Sequence, residues 1–156
     1  MITIPLLTTK LFIPPHNIQH VPRLRLHELL SSGLHTRLTL ISAPAGFGKT
    51  TLVSDWLHHT RVETHGLVCF SWLSLDEGDN DLVRFLTYLA AAFKELLPAS
   101  AGVNLPDENI PTEIPTIERF LNDIINRLTT AGESPLCLIL DDYHLIESLD
   151  VHYALN

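Results

Sequence analysis

Basic charge is what this chain of 156 residues has least of: ten Lys and Arg stand against eighteen Asp and Glu, for a formal net charge of −8. Neutralising a nucleic-acid backbone takes clustered Lys and Arg, and here they are scattered, which argues against a broad DNA- or RNA-binding surface. Cysteine is scarce too. Cys69 and Cys137 each lie in an apolar, strand-like run and read as buried reduced thiols, in keeping with a cytoplasmic protein. No apolar run approaches the length of a membrane span. The N-terminus has no basic n-region and no A-x-A site, and Pro5 interrupts its apolar residues, against a signal peptide. Nine histidines are present, yet none falls in a zinc-like Cys/His spacing, and the adjacent His58 and His59 cannot face one site together on a helix.

What remains is a globular composition, 46% apolar and 18% charged, at a length that fits one domain with a real core. Residues 43–51 carry the most chemistry: Ala43-Pro44-Ala45-Gly46-Phe47-Gly48-Lys49-Thr50-Thr51. They fit G-x-x-x-x-G-K-S/T except at the first position, where Ala43 replaces Gly. An apolar run over 37–42 precedes them and predicts a strand. Leu52, Val53, Trp56 and Leu57 follow on one helical face, predicting a helix over 49–60. Strand, glycine-bearing loop and helix is the setting of a phosphate-binding loop, where backbone N–H groups and a helix N-terminus converge on an anion. Lys49 would add a point charge at the β/γ phosphates and Thr50 a hydroxyl for Mg²⁺. Ala43 suits that loop only if its backbone does not need φ > 0.

Leu136-Cys137-Leu138-Ile139-Leu140 is a second apolar run, expected as a strand covered on both faces and ending in Asp141-Asp142. Ligands of open α/β sheets bind at the carboxyl ends of strands. Asp141 is the metal candidate there, and Asp142 the residue to orient or activate water.

Elsewhere, the Pro-interrupted residues 1–22 read as an extended N-terminal arm, leaving 23–156 as the folded domain. Helices are expected from Arg23 to Ser32, from Leu82 through Phe93, where Leu82, Phe85, Leu86, Leu89 and Phe93 form an apolar stripe that reads as core, and from a Thr116 cap to a stop at Gly132. A strand is expected from about Leu67 to Leu73, followed by the polar turn 76–81. The prolines of 98–115 make a loop, and a further helix opens in the segment 146–156.

Together these segments resemble the N-terminal ATPase domain of the large LuxR-type transcription activators, within the STAND class of P-loop NTPases. The resemblance runs through Thr9–Pro15, Val21-Pro22-Arg23, Ser42–Leu52, Trp72–Asp76, Asp79-Asn80-Asp81 and Leu138–His144. It implies a three-layer α/β/α fold with a parallel sheet, and a switch that exchanges ADP for ATP, self-associates, and resets by slow Mg²⁺-dependent hydrolysis. It also implies that Arg23 contacts the nucleotide on its adenine side. DNA binding in such proteins belongs to a distant helix-turn-helix, so none is expected of these residues. The resemblance further implies a strand between 37–42 and 136–141 that lies beyond residue 156, which would leave both runs without a shared neighbour. A free-standing P-loop kinase and an inactive remnant stay open as alternatives.

Overall fold

The structure is a computed structural model, and it describes residues 6–15, 23–65, 68–96, 114–130 and 135–155. The chain is α/β and divides into two compact units, one of Met1–Phe12, Phe70–Glu133 and Leu138–Asn156, the other of Ile13–Cys69 and Ser134–Cys137.

Two strands, β1 (Cys69–Ser74) and β2 (Leu136–Asp141), form a sheet. Cys69 N–H donates to Pro135 C=O and Leu75 N–H to Asp141 C=O, each at 3.0 Å. The register offset is the same at both ends, which makes the pair parallel. β1 matches its expected strand and is buried over Phe70–Leu73, on both faces. β2 forms where expected but is only half-buried, with Leu136 exposed, because β1 is its one ladder partner among the described residues.

The first unit is built on α3 (Leu82–Leu96), whose expected stripe is the core. Phe85, Leu86, Tyr88, Leu89 and Ala92 are buried against Leu73, Leu75, Ile117 of α4 (Ile114–Thr130), Ile146, and Val151 of α5 (Leu149–Ala154). Asp81 starts α3: its carboxylate takes the Arg84 N–H at 2.8 Å and its carbonyl the Phe85 N–H at 2.9 Å. α4 begins two residues before the expected Thr116 cap. Pro115 sits in its first turn, where a missing N–H costs nothing. The expected stop at Gly132 and most of the proline-bearing stretch 98–115 lie outside the described residues. Within the segment 1–22 expected as an N-terminal extended arm, Thr8–Leu11 make a 3-10 turn that buries Lys10.

The second unit pairs α1 (Leu24–Gly33) with α2 (Lys49–Glu63). Val53, Trp56 and Leu57 of α2 are buried as their spacing predicted, and Trp56 Nε1–H donates to Ser31 Oγ at 2.9 Å. His27 is buried beside Asp55, its Nε2 3.2 Å from Oδ2. Even so, neither ring nitrogen has hydrogen-bond geometry to any described residue. The expected strand over 37–42 is not one: no ladder forms there among the described residues, and Leu38 and Leu40 are 83% and 82% exposed. Alternating leucines specify a face, but a strand also needs a neighbour for its N–H and C=O groups.

Candidate functional site

The glycine-bearing loop is solvent-exposed from Ala43 to Phe47 and turns on two left-handed residues, Gly46 (φ 81°) and Gly48 (φ 75°). These are the positions where an L side chain would be strained, and both are glycine. Ala43 is not among the positive-φ residues, so the absent first glycine removes no backbone freedom that the loop uses. Phe47 N–H makes a long turn bond to Pro44 C=O at 3.4 Å, and the Phe47 ring is exposed.

Gly48 is the N-cap of α2, and the first intrahelical bond runs from Leu52 N–H to Gly48 C=O at 2.9 Å. The amides of Lys49, Thr50 and Thr51 therefore lie ahead of that bond, at the positive end of a 15-residue helix. Lys49 arches back over the loop, donating from Nζ to Ala43 C=O at 2.8 Å and to Pro44 C=O at 3.3 Å. The result is a cationic loop with open space beside Gly46, where an added Cβ would meet nothing within 4 Å. Arg23 caps α1 within the same unit, exposed, its carbonyl accepting from Leu26 and His27 N–H at 2.8 and 3.1 Å.

Asp141 and Asp142 belong to the other unit. Asp141 closes β2, and its Oδ1 accepts the Asp142 N–H at 3.1 Å. Asp142 is exposed and left-handed at φ 57°, a conformation Asp tolerates better than most residues but still at some cost. It leads a 3-10 turn, Tyr143–Leu145, in which Leu145 N–H returns to Asp142 C=O at 3.0 Å. His144 Nδ1 is 3.8 Å from Asp142 Oδ1, too long for a hydrogen bond. Tyr143 hydroxyl meets His152 Nδ1 at 2.6 Å, and burial raises the Tyr143 pKa.

The same unit holds a polar network that motif reading missed. Asp79, fully buried, pairs with Lys10 Nζ and with Arg84 Nε at 3.1 Å, and its Oδ2 takes the Asp76 N–H at 2.8 Å. Asp76 Oδ1 takes the Gly78 N–H at 2.8 Å, closing a capping box around the 3-10 turn Glu77–Asn80. Partial burial works to raise the Asp76 pKa, but Lys10, the Gly78 N–H and Arg84 outweigh it and lower the value below the usual one. Lys10 Nζ also lies 4.5 Å from the centre of the Tyr88 ring. The signal in the sequence was the Asp76-x-x-Asp79 spacing of a capping box; Lys10, 69 positions from Asp79, gave none.

Residues 22–155 match the AAA ATPase domain family. The chain is 37% identical over 145 residues to the HTH-type transcriptional regulator MalT of Cronobacter sakazakii (strain ATCC BAA-894), across 91% of this chain and 15% of that protein. It is 36% identical over 153 residues to the HTH-type transcriptional regulator MalT of Yersinia pestis (strain Pestoides F), across 97% and 16%. The chain thus spans less than a fifth of the length of these curated relatives, in which the match is confined to 15% and 16%. No solved structure matches. Among the described residues no helix is long and apolar enough to cross a membrane. The glycine turns, the lysine at a helix start, the acid-ended strand and a match covering most of the sequence agree: the chain belongs to the AAA ATPase domain family.

Proposed function

We propose that this chain is the nucleotide-binding switch of a signal-responsive transcription activator, holding ATP or ADP through Ala43–Thr51 and hydrolysing ATP slowly. One observation carries the reading: left-handed Gly48 sets Lys49, Thr50 and Thr51 at the N-terminus of α2, with the Lys49 ammonium held over the loop by the carbonyls of Ala43 and Pro44. Phosphate oxygens are stronger acceptors for that ammonium than neutral carbonyls, and the helix end supplies further N–H groups. The open space at Gly46 lets an anion approach the backbone.

The residues present also suit Mg²⁺, which takes hard oxygen ligands: the Thr50 hydroxyl and the Asp141 carboxylate are of that type. When bound, Mg²⁺ would supply charge neutralisation for the β/γ phosphates. Asp142, one residue on and exposed, would orient water and accept its proton. Arg23 would contact the base end of the nucleotide. Self-association on ATP binding and a cytoplasmic location complete the proposal, and with a net charge of −8 DNA contact is left to other parts of the protein. The names of the relatives, HTH-type transcriptional regulators, support the regulatory setting.

The test is titration calorimetry of the intact protein with Mg-ATP. Lys49→Ala removes a charge-assisted contact of roughly 1.5–3 kcal/mol, so affinity falls by about one to two powers of ten. Equal affinities would take the phosphate role from Lys49. No binding by the unsubstituted protein would favour an interaction fragment over a switch.

A further inference from the structure

The Asn80 side chain makes four hydrogen bonds, all that an amide of its kind readily holds. Its Nδ2 donates to Glu77 C=O at 3.0 Å and to Leu145 C=O at 2.9 Å. Its Oδ1 accepts from Glu147 N–H at 2.7 Å and from Ser148 N–H at 2.8 Å. One side chain thus grips the backbone that leaves the acid turn, and it does so from a turn that is itself anchored. Asn80 ends the capped segment Glu77–Asn80, whose Asp79 is fixed to Lys10 and Arg84.

The grip reaches Asp142 through one residue, Leu145. Leu145 gives its N–H to Asp142 C=O and its own C=O to Asn80. On the other side, Asp141 C=O is tied into the sheet by Leu75 N–H at 3.0 Å. Asp142 is therefore pinned before and after. A left-handed non-glycine residue persists only where its surroundings over-determine it. We infer that Asn80 is a positioning residue for Asp142: by fixing residues 145–148 it holds Asp142 in the left-handed conformation that aims its carboxylate. The inference rests on the reading of Asp142 as the water-orienting acid.

The experiment compares the intact protein with Asn80→Ala and Asn80→Asp, by hydrogen-exchange mass spectrometry and by Mg-ATP affinity and turnover. In Asn80→Ala, exchange in the peptide covering 145–149 speeds up about tenfold or more, as expected when two amides lose their acceptor. Turnover falls about tenfold while nucleotide affinity stays within about threefold, because the phosphate loop is untouched. Asn80→Asp keeps acceptors for Glu147 and Ser148 but loses both donations, so its exchange stays near wild type and its turnover falls between. Unchanged exchange in Asn80→Ala would refute the clamp. Faster exchange with unchanged turnover, or affinity falling in step with turnover, would refute the positioning role. If the unsubstituted protein bound no nucleotide, the proposed function and the positioning role would fall together, while the exchange rates would still show whether the clamp exists.

Discussion

Replacing Asp79 by Ala tests the energetic centre of the first unit. The carboxylate is fully buried, pairs with a Lys10 side chain that is 9% exposed and with Arg84, and takes the Asp76 N–H. Removing one member of a buried pair strands the other and costs roughly 3–5 kcal/mol. Lys10 keeps a second carboxylate, Asp76 Oδ2 at 3.0 Å, and the face of Tyr88, which places the loss at the low end, about 3 kcal/mol. The lost cap on Asp76 adds about 1 kcal/mol. A total near 4 kcal/mol is about a thousandfold in protection, read by hydrogen exchange in the α3 peptide, where Phe85, Leu86 and Leu89 are buried. Asp81→Ala, which removes only an exposed helix cap, should cost about 1 kcal/mol. Lys10→Met should cost less than Asp79→Ala, since Asp79 retains Arg84. Pairing Lys10→Met with Asp79→Asn should be milder than Asp79→Asn alone, because both buried charges go together. A loss under about 1.4 kcal/mol for Asp79→Ala, or a strictly additive double substitution, would refute the assignment of a desolvated charge network.

Two further outcomes follow from backbone geometry and burial. Asp142→Gly should leave stability unchanged or raise it by up to about 1 kcal/mol, by relieving the left-handed residue, while abolishing turnover; a clear loss of thermal stability would mean that φ 57° carries no strain. Burial pushes the Cys137 thiol up to about 11 from 9.0, so the folded protein holds its proton where the unfolded chain releases it. The stability this gives is fully present below pH 9 and is lost as pH rises from there to about 11. Alkylation of Cys137 at pH 8 should accordingly be about a hundredfold slower in the folded protein than in urea, from thiolate fraction alone, and equal rates would show the thiol to be exposed.

The parts of the fold that were legible in the sequence are those encoded locally. α2 and α3 follow their apolar spacing, and the buried faces are the expected ones: Val53, Trp56 and Leu57 on the one, Phe85, Leu86 and Leu89 on the other. Gly46 and Gly48 stand where the motif needs left-handed backbone, and Ala43 stands where it does not. What escaped depends on distant partners. The run 37–42 has a strand's alternation and no ladder among the described residues, because pairing is a property of two segments. Lys10 meets Asp79 across 69 positions, and Asn80 reaches Leu145, Glu147 and Ser148 across 65 to 68. No periodicity or motif spacing carries such distances. Only Asp76-x-x-Asp79 left a local trace, and its charges read equally well as a solvated turn.

The two candidate loops, each within its own unit, solve the same backbone problem by opposite means. Each turns the backbone sharply through left-handed residues. The phosphate loop uses glycine at both such positions, so its shape costs little, and it remains exposed, with Lys49 bonded to its own carbonyls. On the proposed reading the acid turn needs a carboxylate at its left-handed position, Asp142, which glycine cannot supply. Its strain of roughly 1–3 kcal/mol must be met from outside the turn. The sheet bond from Leu75, the four bonds of Asn80 and the buried charges behind them are that support. Substitutions around the phosphate loop should therefore act mainly where they touch ligand or glycine, whereas the acid turn should be sensitive to residues far along the chain that never approach a nucleotide. Where a functional side chain forces a costly backbone conformation, the supporting residues become part of the function.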